Sequence, residues 1–463
     1  MSINKKLFPL LVLVTLSSFI KITVAQSSRE KFIDSLLGVM TLEEKIGQMT
    51  LLTSDWDVTG PTMKSNYKED IRTGRVGNIF NAFTAKYTRE LQQIAVNETR
   101  LHIPLMFGYD VIHGHRTIFP IPLGQAASWD LAAIEKSERI AATEAAAEGI
   151  HWTFAPMVDI ARDPRWGRIT EGAGEDTYLG SLIATARVKG FQGNDLSTNN
   201  TIVACAKHFA AYGAAEAGRD YSTVDISEQT LYNVYLPPFK ACVDAGVGTF
   251  MSSFNEVNGI PATGNHDLLT NILRNEWGFK GFVVTDYTGI NEMVPHGFAA
   301  GEKQAGEEAV NAGVDMDMQG VVYYKYLKQS INEGKVPLSA IDSAVKRILR
   351  IKYDLGLFND PYRYCNEERE KKVIMSKENL EAARDMARKS MVLLKNNNNV
   401  LPLKNETSIA LIGPLADDRV DMIGSWSAAG DGKKCVSLLD GIKARPGTKV
   451  VYAKGCNFND DTT

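Results

Sequence analysis

The chain has 463 residues, 44% hydrophobic and 23% charged, which is a globular composition on a length too great for one ordinary core. Acidic residues outnumber basic ones 55 to 51, and a net charge of −4 excludes the basic face that nucleic acid or an anionic membrane surface would need. The first stretch, MSINKKLFPLLVLVTLSSFIKITVAQSS, sets Lys5 and Lys6 before an apolar run from Leu7 and places small residues near Ala25. Lys21 cuts the apolar run too short to span a bilayer, so the pattern predicts a signal peptide over 1–25. The mature protein then begins near Gln26 and is exported, to a periplasm or beyond.

Next comes a helix start: Thr41 followed three residues later by Glu44 is a capping box. Short apolar runs then alternate with helix-period segments. Eight runs read as strands: IGQMTLL, VGNIF, PLMFGYD, WTFAPMVD, IVACAKHF, TFMSSFN, FVVTDY and VDMDM. Most have no polar face, as expected of parallel strands covered on both sides. Between them lie stretches such as AAIEKSERIAATEAAAEGI and AGEEAVNAG. The pattern predicts an α/β fold, a (β/α)₈ barrel with inserted loops. A doubly wound open sheet is the rival, but no GxGxxG follows an early strand.

Several runs end in a residue able to do chemistry: Asp110, Asp159, Lys207 with His208, Asn255 and Asp286. In a barrel those ends meet on one rim, where barrel active sites lie. A polar break at YRYCNEERE precedes a helix over NLEAARDMARKSMVLL. Then come a strand over Ser408–Ile412 and a turn at Gly413–Pro414, the start of a second α/β domain that Thr463 leaves unfinished. The expected organisation is a barrel over 29–365, a linker and linking helix over 366–390, and the first part of an α/β sandwich over 391–463. The apolar face of SIALIGPL would lack cover, so 390–463 is expected to be loosely ordered. Cys205, Cys242, Cys365, Cys435 and Cys456 show no metal spacing, and only Cys435 with Cys456 is considered as a disulfide. His113 and His115 are too close for a helix-face ligand pair. No metal or cofactor is expected.

MTLEEKIGQM, FGYDVIHG, FAPMVDIARDPRWGRITEGAGEDTYLG, KHFAAYG, GFKGFVVTDY and SMVLLKNNNNVLPL, in that order, resemble glycoside hydrolase family 3 from about Arg29 onward. The likeness is closest to its bacterial β-glucosidases, whose second domain has a stretch similar to IGPLADDRVDMIGSWSAAG. It implies a barrel followed by an α/β sandwich with the active site between them. It also implies retaining hydrolysis, in which one carboxylate attacks the anomeric carbon and a carboxyl roughly 5–5.5 Å away protonates the leaving oxygen.

By this resemblance Asp286 is the nucleophile. The family more often has Ser-Asp-Trp or Ser-Asp-His where this chain has Thr285-Asp286-Tyr287, which changes the sugar-stacking partner rather than the attack. Asp110 matches a carboxylate that grips two sugar hydroxyls. Arg168, Lys207 and His208 match donors to the same ring, whose charge would hold Asp286 ionised. Met251 matches a pocket floor, and Phe254 stands where many relatives carry a tyrosine. Trp426 matches a wall for the next sugar. Alternatives stand beside these: Arg168 as an ion-pair partner of Glu171 or Glu175, His208 as a satisfied core histidine, and Trp426 as a core residue. Asp159 reads as structural.

The loop after KHF lacks the histidine of the N-acetylglucosaminidase branch, and nothing marks Glu216 or Glu256 as the acid. The acid/base is therefore expected beyond Thr463. The substrate implied is a β-glucoside or short β-glucan. A β-xylosidase or arabinofuranosidase, and a sugar-binding protein without catalysis, remain open.

Overall fold

In the computed structural model, residues 28–56, 66–404, 407–427 and 429–458 are described. The expected signal peptide lies outside them. The capping box forms as predicted: Thr41 N donates to Glu44 Oε2 at 2.8 Å, and Glu44 N donates to Thr41 Oγ1 at 3.2 Å. It opens the helix Leu42–Gln48.

Ten strands follow before the C-terminal region: β1 Thr50–Thr53, β2 Asn78–Phe80, β3 Met106–Tyr109, β4 Trp152–Thr153, β5 Cys205–Phe209, β6 Thr249–Ser252, β7 Glu256–Val257, β8 Ile260–Pro261, β9 Phe282–Thr285 and β10 Asp317–Met318. One parallel arc runs β10-β1-β2-β3-β4 and a second runs β5-β6-β9. Parallel bridges Trp152↔Val203 and Met157↔Lys207 join β4 to β5, and Val284↔Met316 joins β9 to β10. The eight strands thus close into a ring in chain order, each lying within one of the eight predicted runs except β1, which runs one residue further, to Thr53. β7 and β8 form an antiparallel hairpin outside the ring.

The barrel strands are buried along their whole length, for example β1, β5 and β9. That is why their sequences show no polar alternation. β4 is shorter than its run because Pro156 has no N–H to continue the ladder. Helices Leu131–Ala147, Thr177–Gln192 and Leu338–Asp354 pack around the ring.

The linking helix spans Lys377–Lys389 and stops short of the predicted Leu394. Four consecutive apolar residues cannot share one helix face, and Met391 to Leu394 run on as exposed chain. β11 (Ser408–Ile412) occupies the predicted strand and pairs in parallel with β12 (Lys449–Ala453). Ile412 and Leu415 are exposed. Cys435 and Cys456 are both free thiols, so the disulfide considered from the sequence is not formed.

The C-terminal region touches the barrel rim. His113 Nε2 donates to Ser425 O at 2.7 Å, and Arg116 Nη1 donates to Ala429 O at 3.0 Å. Among the described residues, no helix is long and apolar enough to cross a membrane.

Candidate active site

Asp286 follows β9 directly. Its Oδ1 accepts from Tyr287 N at 2.7 Å, while the buried Oδ2 has no hydrogen-bond donor. The side chain is 14% exposed and lines a pocket of about 220 Å³ at the carboxyl ends of the strands. Asp110 (after β3), Lys207 (β5), Arg168 and Met251 (β6) line the same pocket, with Tyr287 and Trp426. Lys207 Nζ lies 3.2 Å from Asp110 Oδ1 and 5.6 Å from the centre of the Trp426 ring. The sequence-predicted residues therefore converge, and Trp426 joins them from beyond the barrel.

His208 is brought to the site but stands behind it, fully buried. Its Nε2 is 3.0 Å from Arg168 Nη2 and 3.4 Å from Asp286 Oδ2, while Nδ1 is 2.9 Å from Asp159 Oδ2. A guanidinium can only donate, so Nε2 must accept, which puts the ring proton on Nδ1, donated to Asp159. Burial, with Arg168 and Lys207 nearby, pushes the His208 pKa well below the ordinary value. The ring is neutral, which corrects the expectation that His208 adds positive charge beside Asp286. Asp159, read from the sequence as structural, fixes this tautomer and also accepts from His208 N at 2.9 Å.

Arg168 forms a two-point ion pair with Glu171, at 2.7 Å and 3.0 Å. The ion-pair reading and the site reading of Arg168 hold together, since the same guanidinium also faces the pocket. Burial raises the Asp286 pKa to about 6, and Arg168 and Lys207 draw it back toward the ionised form. Burial likewise raises Asp110, opposed by Lys207.

Phe80, Phe154, Tyr221 and Met318 also line the pocket and were missed. Phe80 and Met318 end their strands, but the rule that found Asp110 selected only residues able to do chemistry and so passed over them. Tyr221 carried no such signal. It comes from the loop after β5 and lays its ring on Phe254, centroids 4.5 Å apart at 31°. Asn255, which ends the run TFMSSFN but lies past β6, is buried and accepts from Ser253 Oγ at 2.7 Å, outside the pocket lining. Among the described residues no three His, Cys, Asp or Glu side chains converge as they would on a metal ion.

The site thus presents one carboxylate oxygen without a donor, a second carboxylate paired with an ammonium, a guanidinium and aromatic walls. Such a set suits a polyhydroxylated ring with an electrophilic carbon. Residues 41–351 match the glycosyl hydrolase family 3 N-terminal domain, and residues 391–459 match its C-terminal domain. The chain belongs to glycosyl hydrolase family 3. Over 440 residues it is 46% identical to a periplasmic beta-glucosidase of Salmonella typhimurium, covering 94% of this chain and 57% of that protein. A putative beta-xylosidase of Formosa agariphila is 35% identical over 410 residues, covering 84% of this chain and 54% of that one. The crystal structure of a beta-glucosidase from Listeria innocua in complex with isofagomine superposes with a TM-score of 0.87 at 39% identity, covering 92% of this chain and 60% of that one. This family member therefore spans a little over half the length of these relatives.

Proposed function

We propose that the protein is an exported retaining exo-β-glucosidase that releases glucose from the non-reducing end of β-glucosides and short β-glucans. The observation that carries this reading is Asp286 Oδ2, free of donors and facing a pocket of about 220 Å³ between Arg168 and Lys207. Asp286 attacks the anomeric carbon as the glycosidic C–O bond breaks, forming a covalent glycosyl ester. Water then cleaves the ester with net retention. Asp110 accepts from two sugar hydroxyls, and Lys207 and Arg168 donate to the ring's oxygens. His208, neutral and aligned by Asp159, positions Arg168. Met251 forms the floor, and Tyr287 and Trp426 give flat walls for the sugar that leaves.

Asp110 and Asp286 are the only carboxyls lining the pocket among the described residues. These residues therefore supply neither the proton for the leaving oxygen nor the base that takes the proton of the attacking water in the second step. Export rests on the N-terminal pattern and agrees with the periplasmic name of one relative. The barrel is assigned to 29–365 and the second domain to 391–463, after a signal peptide over 1–25.

One second reading has specific support: the likeness to a putative beta-xylosidase favours a pentosyl substrate at the same site. Hydrolysis of dinitrophenyl β-glucoside and β-xyloside, whose leaving group needs no proton, separates the two. The glucosidase reading expects a higher kcat/KM on the glucoside and a β-anomer as first product by NMR. Preference for the xyloside would transfer the assignment to the pentosidase. Sugar binding without turnover of either would leave a binding protein.

A further inference from the structure

The C-terminal segment that brings Trp426 to the pocket is held to the barrel by two basic side chains of the loop after β3. Arg116 Nη1 donates to Ala429 O at 3.0 Å, and His113 Nε2 meets Ser425 O at 2.7 Å. Ser425 directly precedes Trp426, which lines the pocket. Arginine keeps its charge throughout the pH range of folded proteins, whereas histidine does not.

His113 is 1% exposed, and each of its ring nitrogens faces a carbonyl. Nδ1 lies 2.8 Å from Phe119 O, and Nε2 lies 2.7 Å from Ser425 O. A carbonyl oxygen can only accept, and a neutral imidazole has one N–H. Both contacts are hydrogen bonds only when the ring carries two protons. The Nδ1 contact belongs to the loop itself: Phe119 N donates back to His113 O at 2.9 Å, and Gly114 bridges to Ile118. A neutral ring therefore keeps its proton on Nδ1 and turns the Nε2 lone pair toward Ser425 O, which repels it. The second proton is the one that joins the barrel to the segment of Trp426.

Burial, helped by Arg187 of the helix Thr177–Gln192, opposes that proton, and the two carbonyls favour it. The balance leaves the His113 pKa below the ordinary value. Arg187 is itself paired with Glu138, at 3.5 Å. On the loop of His113, His115 and Arg116 turn to Glu148. The segment meets the ring through Ser425 and Gly424, where a methyl group would stand 4.0 Å from His113 Cε1, and neither residue carries a charge. At Nε2, docking of the segment replaces water, which can donate or accept, by a carbonyl, which can only accept. The docked form thus holds the second proton more tightly than the undocked form. Docking strengthens as pH falls through the His113 pKa and weakens as pH rises through it.

We propose that His113 is a positioning residue whose second proton clamps the segment of Trp426 to the barrel, so that this wall of the pocket is firm in acid and loosens toward neutral pH. Arg116 supplies the part of the hold that does not change with pH. Nothing in this clamp depends on which sugar the pocket takes.

The test uses the full chain, wild type, His113→Gln and His113→Leu, between about pH 4.5 and 8. NMR of isotopically labelled histidine counts the protons on each ring nitrogen, and the His113 signal is the one that both variants lose. Hydrogen exchange of peptides containing Trp426, divided by the intrinsic rate at each pH, reports docking. Wild-type His113 should carry two ring protons at the acid end and lose the one on Nε2 as pH rises. Protection of the Trp426 peptides should fall about three- to tenfold over the same window, the worth of one hydrogen bond. His113→Gln keeps one donor for Ser425 O at every pH, so its protection should show no step. His113→Leu should be weakly protected throughout, while peptides of the barrel strands exchange alike in all three proteins. A neutral His113 at the acid end, protection that rises with pH, or an equal step in His113→Gln would overturn the clamp.

Discussion

Replacing Arg168 by Met should move the acid limb of activity upward. Arg168 Nη2 is 3.0 Å from His208 Nε2, which is 3.4 Å from Asp286 Oδ2, so guanidinium and carboxylate are close neighbours across one neutral imidazole. At about 6 Å and an effective dielectric near 20, opposite charges interact by about 2.8 kcal/mol. That would correspond to about two pH units on Asp286. Glu171, bound to the same guanidinium, offsets part of this field. The expected shift is therefore about one unit upward. The assay is the rate of inactivation by an activated 2-deoxy-2-fluoro-β-glucoside between pH 4 and 9, which reports the nucleophile without needing a proton donor. The wild type should lose rate below about pH 6, where Asp286 takes up its proton. Arg168→Met should lose it below about pH 7. Weaker sugar binding lowers the rate alike at every pH, so the inflection is the discriminating quantity. An inflection that stays put or moves down would refute the electrostatic role of Arg168.

Two further predictions concern stability. Because Asp286 titrates at about 6 in the fold, against an ordinary value of 3.8, the native state holds its proton more tightly than the unfolded chain does. Stability is lost as pH rises through that window, by about 2–3 kcal/mol once Asp286 is ionised. Asp286→Asn should therefore stabilise the protein by about that amount in urea melts at pH 8 and by almost nothing at pH 4. Equal effects at both pH values would contradict the burial argument. Glu148 accepts from His115 Nε2 at 2.5 Å and from Arg116 at 2.8 Å, and its side chain is 3% exposed. Burial would raise its pKa, but these two partners hold it near 2. Their contribution is present above the ordinary carboxylate range and fades as pH falls toward 2. Glu148→Gln should cost about 3–5 kcal/mol at pH 7, since it leaves the buried partners unmatched. A loss below about 1 kcal/mol in urea titrations would show that the cluster is dispensable.

The barrel was legible because parallel strands buried on both faces must be apolar throughout, and all eight such runs hold a barrel strand. The site was legible in part from position: Asp110 and Asp286 directly follow β3 and β9, and Lys207 lies inside β5, all three at or near the ends of the apolar runs. The tautomer of His208 was not, because it depends on Asp159 and Arg168 arriving from two other segments. Tyr221 sits on a long loop with φ +64°, a conformation the fold imposes and its own sequence does not announce. The end of the linking helix was misplaced for a related reason: apolar residues from Met391 onward lengthen the pattern without giving it a face.

The central claim is that Asp286 forms a covalent bond to the sugar. Labelling the protein with the activated 2-deoxy-2-fluoro-β-glucoside, followed by intact mass and peptide mapping, tests it directly. The account predicts a single glycosyl adduct on the peptide that contains Asp286, absent from Asp286→Asn. An adduct on any other residue, or stoichiometric labelling of Asp286→Asn, would contradict it.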